Sequence, residues 1–139
     1  MASIRKELVL DLAPDRVWGA IRDVGSVHRS LARSFVTDCR TEDAGKSRVV
    51  TFANGLVARE LIVDLDDGAR RLVWAVVDGR PTHHNASLQV FAEGGAGSRI
   101  VWIADLLPND LAQSIDGMME EGMRAMQRTL EAGGEAGVA

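Results

Sequence analysis

One cysteine, Cys39, is the only thiol in a chain of 139 residues. A lone thiol excludes an internal disulfide and fits a reducing compartment. Excess positive charge is missing as well: 20 acidic residues against 16 basic ones leave a net charge of −4. With the basic residues scattered along the chain, no nucleic-acid partner is expected. No stretch approaches the roughly 18 consecutive apolar residues of a membrane span. The opening MASIRKELVLDL has no apolar leader core either. These absences predict a soluble, cytoplasmic protein without integral membrane association. No glycine-rich phosphate loop follows a strand and opens a helix, and Asp66-Asp67-Gly68 reads as a hairpin turn rather than as part of a calcium loop. His83 and His84 are neighbours in a strand-like run and so point to opposite faces. Even with His28 as a third ligand they do not readily share one ion. No metal and no cofactor are expected. Without repeats or linkers, the length suits one domain with a sizeable core, over residues 1–132, with 133–139 as a flexible tail.

What the chain does have is a long amphipathic segment near its end, Asn109 to Ala132. Leu111, Ile115, Met118, Met119, Met123, Met126 and Leu130 recur three or four apart, the spacing of one helical face. Asp116, Glu120, Arg124 and Arg128 mark the polar side, with Glu120 and Arg124 placed for an i,i+4 pair. Asn109 or Asp110 can cap the start, and Gly133-Gly134 ends the segment. At 1.5 Å per residue such a helix runs about 35 Å. Methionine is a flexible filler suited to irregular surroundings, so this face is read either as ordinary core or as one wall of a cavity.

Before that helix the pattern is mostly β. Ile4 to Leu12 alternates as a strand, Pro14 opens a short helix with Val17, Trp18 and Ile21 inward, and Ser26 to Arg33 reads as a second short helix. Six short strands follow, over Phe35–Arg40, Arg48–Ala53, Leu56–Leu65, Arg71–Asp78, His84–Ala92 and Arg99–Leu107. Asn54-Gly55 and Asp67-Gly68 are strong hairpin turns. The expected class is α+β: a curled seven-stranded antiparallel sheet around a long C-terminal helix, with two short helices between strands one and two.

This order, with VWGAIRDV in the first helix, ARELIVDLDDGARRLVWAVVDG in the middle hairpin and SRIVWIADLLP before the last helix, resembles the START/Bet v 1-like superfamily. Within it the chain is similar to the bacterial polyketide cyclase/dehydrase and lipid-transport group, over Ser3 to about Glu131. The resemblance implies a helix-grip fold with a cavity between sheet and helix. It does not fix the activity, because the superfamily includes binders, carriers and cyclases.

Alternation then sorts side chains by face. A turn near Gly94–Gly97 would pair Val90 with Val101, Leu88 with Ile103 and Ala86 with Asp105. One face of that hairpin reads His84, Ala86, Leu88, Val90, Val101, Ile103, Asp105 and Leu107; having fewer hydrogen-bonding side chains, it is taken as concave, which leaves Trp102 outside. The resemblance adds Glu60 as an inward carboxylate with Ala58 and Ile62, then Val73, Ala75 and Val77, and Thr37, Cys39, Val50 and Phe52. From the helix, Ile115, Met118, Met119, Gly122 and Met126 are expected to touch the cavity. An isolated buried Glu60 would need a partner, and Arg59 follows the opposite face. The composition is that of a small-molecule site, so the expected partner is a small, mostly apolar ligand, lipid-like or polyketide/aromatic, bound by a monomer or homodimer. Two alternatives stand beside it. His84 and Asp105 could act as acid and base in a cyclase, aromatase or dehydratase, or the chain could be an interaction protein with no small ligand.

Overall fold

Alternating Ile4, Lys6, Leu8 and Leu10 give the first segment one face to pack, and strand β1 (Ala2–Leu10) forms there. The computed structural model describes residues 1–133; the tail expected over 133–139 lies, beyond Gly133, outside the described residues. Helix α1 (Pro14–Arg22) follows, with Pro14 in its first turn and Val17, Trp18 and Ile21 buried. Asp67 holds this helix in place by accepting from Trp18 Nε1 at 2.8 Å and from the Arg22 guanidinium. The expected second short helix forms over Val27–Leu31 as a single wide turn, closed by the Ala32 N–H on the Val27 carbonyl five residues back. Ser34, at φ 75°, then swings the chain directly into the sheet, which leaves no room for another turn.

Six strands come next: β2 (Val36–Glu42), β3 (Ser47–Phe52), β4 (Val57–Asp66), β5 (Arg71–Val76), β6 (His83–Glu93) and β7 (Gly97–Leu107). Their ends differ from the expected ones by a residue or two. The seven strands form one antiparallel sheet in the order β1-β7-β6-β5-β4-β3-β2, so a sequential meander is completed by β1 against β7. At Asn54-Gly55, Gly55 takes φ 91° and the Asn54 side chain accepts the Leu56 N–H at 3.0 Å, as a tight turn of that sequence requires.

The terminal helix begins with a tight turn, Asn109–Leu111, and continues as α2 (Ala112–Glu131). Neither Asn109 nor Asp110 makes a side-chain cap, contrary to expectation, because the tight turn itself supplies the first hydrogen bonds. Lys6 on β1 reaches across to Asp116 (2.7 Å) and Glu120 (3.6 Å). Glu120 is thereby turned toward the sheet edge and does not pair with Arg124. At the other end the Thr129 hydroxyl accepts the Arg33 N–H at 2.9 Å. α2 therefore spans the open side of the curl, fixed near both ends.

Candidate ligand-binding cavity

Between the concave sheet face and α2 lies a cavity of about 280 Å³. Its walls are overwhelmingly apolar: Val36, Val50, Phe52, Leu72, Trp74, Val76, Leu88 and Trp102 from the sheet, Ile115, Met118, Met119 and Met126 from the helix. Leu56 and Val57, both exposed, mark the mouth together with Asp78, Gly79, Arg80 and Ser114. No helix among the described residues is long and apolar enough to cross a membrane.

The cavity brings together many of the residues singled out from the sequence. Val50, Phe52, Ala58, Glu60, His84, Ala86, Leu88, Ile115, Met118, Met119 and Met126 all line it. Ile62 stands opposite Trp74 and packs against the core beside the cavity without lining it. Gly122 lies under the aromatic wall: a Cβ there would sit 2.8 Å from Trp102 Cζ3 and 3.1 Å from Phe35 Cε2. The glycine thus admits the rings of Trp102 and Phe35.

Three strands run otherwise than expected. On β7 the turn is one residue tighter in register, so Leu88 faces Trp102, Ala86 faces Ala104 and His84 faces Leu106. Directly opposed residues share a face, which brings Trp102 inside and turns Val101, Ile103 and Asp105 to the convex side. Leu107, paired with His83, goes with them, whereas Val90, paired with Ile100, stays inside and buried. On β5 the inward residues are Leu72, Trp74 and Val76, which oppose Leu88, Ala86 and Glu60. Val73, Ala75 and Val77 face outward, with Val77 exposed. On β2 a bulge between Val36 and Asp38 adds a residue. Val36 and Cys39 are both buried, while Thr37 is pushed out to solvent and donates to the Thr51 carbonyl at 3.3 Å.

The partner that Glu60 requires is Arg48, directly opposite on β3. Arg48 Nε donates to Glu60 Oε1 at 2.8 Å, with only 5% and 8% of the two side chains exposed. The guanidinium also donates to the Val24 carbonyl at 3.2 Å and lies over the Trp74 ring, 5.3 Å from its centre. A satisfied charge pair thus forms part of an apolar wall. His84 makes no hydrogen bond to a side chain among the described residues; burial, helped by the neighbouring His83, lowers its pKa, so the imidazole is neutral at pH 7. Asp105 is on the other face of the sheet, and the expected dyad is not assembled. Burial raises the pKa of the Cys39 thiol despite nearby Arg48, which disfavours the nucleophilic thiolate. Trp102 Nε1 is buried with no hydrogen-bond partner among the described residues.

Arg48, Trp74 and Trp102 are among the site residues that sequence reasoning missed, together with Phe35, Val36, Leu72 and Val76. Arg48 had a signal: it shares the parity of Val50 and Phe52, so placing those two inward places it inward too. The tryptophans had only bulk to declare them, since both faces of β5 and β7 are apolar.

Fold and cavity define a helix-grip domain of the START/Bet v 1-like superfamily. The chain belongs to the polyketide cyclase / dehydrase and lipid transport family, whose model matches residues 1–132. No curated protein matches it in sequence. Among solved structures it is similar to the XoxI protein of Bacillus cereus (17% identity, TM-score 0.84, covering 93% of this chain and 95% of that one). It is also similar to the di-domain ARO/CYC BexL from the BE-7585A biosynthetic pathway (12% identity, TM-score 0.82), covering 94% of this chain and 47% of that one. A START superfamily protein of Mycobacterium smegmatis matches at 9% identity and TM-score 0.75, over 94% of this chain and 97% of the other. These likenesses establish the shared fold.

Proposed function

We propose that this protein binds a small, mostly apolar molecule, lipid-like or polyketide/aromatic, in the cavity between the sheet and α2. The observation that carries this reading is the cavity itself. A packed domain leaves few voids larger than a water molecule, whereas here about 280 Å³ stays unfilled behind an apolar wall. Membership of a family described by lipid transport and polyketide cyclisation supports ligand binding in general. The volume suits a ligand of roughly ten non-hydrogen atoms, at about 30 Å³ each by analogy with liquid water. The methionines of α2 can adjust to its outline. His84 and Ser114 offer it hydrogen bonds, while Arg48 and Glu60 are engaged with each other.

Native mass spectrometry of freshly purified protein tests the reading. The expected result is a co-purified molecule lost under denaturing conditions, whose return raises the melting temperature. At a hundred times its Kd a ligand adds about 2.7 kcal/mol. A chain with no adduct, whose melting is unmoved by a panel of apolar compounds, would not be a binder.

A second reading is acid–base chemistry of the cyclase, aromatase or dehydratase type. What favours it is a neutral imidazole, His84, lining an apolar cavity, where it can take up a proton. On this reading His84 works without Asp105. Turnover of a poly-β-ketone that vanishes in His84→Ala, with the fold intact, would support the enzyme over the binder.

A further inference from the structure

Beside the cavity, between the outer flank of α2 and the start of β2, runs a second depression of about 200 Å³. Its character is opposite. Arg124 and Arg128, one helical turn apart, line it together with Glu121 and Ser34. Seven of the fourteen arginines, Arg5, Arg22, Arg40, Arg48, Arg59, Arg70 and Arg99, have a carboxylate partner within 4.0 Å, and Arg16, Arg29, Arg33, Arg71 and Arg80 have none among the described residues. Arg124 and Arg128 have none within 4.0 Å among the described residues, Glu120 being drawn off to Lys6. Against the single Glu121 carboxylate, the groove keeps a surplus of positive charge.

Phe35 lines both the groove and the cavity. It meets Phe52 edge-on, with ring centres 5.3 Å apart, and is only partly buried. One aromatic side chain therefore separates an apolar chamber from a cationic groove.

We propose that the Arg124–Arg128 groove holds the anionic head, carboxylate or phosphate, of an amphiphile whose apolar tail passes Phe35 into the cavity. This rests on the ligand-binding reading above and adds the charge and polarity of the ligand to it. Arginine suits either head, because its planar fork of N–H donors matches carboxylate and phosphate oxygens. A tail of about ten carbons matches the space available.

The test is calorimetric titration of the whole protein with decanoate, decyl phosphate and decanol at low ionic strength. Both anions are expected to bind about tenfold more tightly than the alcohol, and the two anions compared with each other separate a carboxylate head from a phosphate one. In the double variant Arg124→Gln/Arg128→Gln that advantage disappears while decanol binding is unchanged, which also shows the fold to be intact. Equal binding of anions and alcohol by the unaltered protein would overturn the proposal. A double variant that weakens all three ligands alike would overturn it too, since the arginines would then be structural. Binding of none of the three would overturn the cavity reading together with this one, whereas decanol binding without an anion preference removes this one alone.

Discussion

Arg48 and Glu60 face each other across adjacent strands with their charges almost wholly out of water. Such a pair gives little net stability, because desolvation offsets attraction, but breaking it strands a charge. Arg48→Ala or Glu60→Ala should lower unfolding free energy by about 3–5 kcal/mol, measured by urea denaturation. The double replacement Arg48→Met/Glu60→Leu should cost far less than the sum, since it leaves no orphan. Single variants costing about 1 kcal/mol or less, the range of an exposed pair, would mean that the pair is solvated. The need for a partner at Glu60 followed from the inward placement that the resemblance implied, and Arg48, though missed, had its signal in the parity of Val50 and Phe52. The imidazole of His84 was readable as a cavity group by the same alternation, because β6 carries polar Asn85, Ser87 and Gln89 on one face and Ala86, Leu88 and Val90 on the other.

Elements were less uniformly legible. Asn54-Gly55, the Pro14 helix start and the apolar stripe of α2 each carry a local signal, and all three elements form. Strand faces on β5 and β7 carry none, because Val73-Ala75-Val77 and Leu72-Trp74-Val76 are equally apolar, as are Val101-Ile103 and Ile100-Trp102. There the face is decided by turns and bulges, the Glu93–Gly97 closure and the irregularity between Ile62 and Asp64, as the extra residue at Thr37 decides it on β2. One residue of register inverts a strand, and it separates His84 from Asp105. The two glycines of α2 also look alike in sequence and differ in place. Around Gly117 an added Cβ meets nothing within 4 Å, whereas at Gly122 it meets Trp102 and Phe35. Gly117→Ala should therefore stabilise by up to about 1 kcal/mol through helix propensity. Gly122→Ala should destabilise by about 1–3 kcal/mol as the rings are pushed aside. Thermal melts of the two variants give the comparison, and equal shifts of the same sign would show that α2 does not press on the aromatic wall.

At the scale of the whole molecule, the cavity is stability left unused. Ala86, buried in its wall, is a position from which a larger side chain would project into it. Ala86→Leu should raise unfolding free energy by about 0.5–2 kcal/mol and abolish the melting shift given by a cavity ligand. A loss of 1–3 kcal/mol, the mark of overpacking, would instead show that the space before Ala86 is already filled. The same sheet has a further consequence, for the order in which the chain can be built. β2 to β7 pair each with the next, so these hairpins can close as they leave the ribosome. β1 cannot, since its partners run from Ser98 to Leu106. Until β7 has emerged, the apolar face of Ile4, Leu8 and Leu10 has no strand to join. Contacts of such long separation are slow to form, and during synthesis β1 is the segment a chaperone would have to shield.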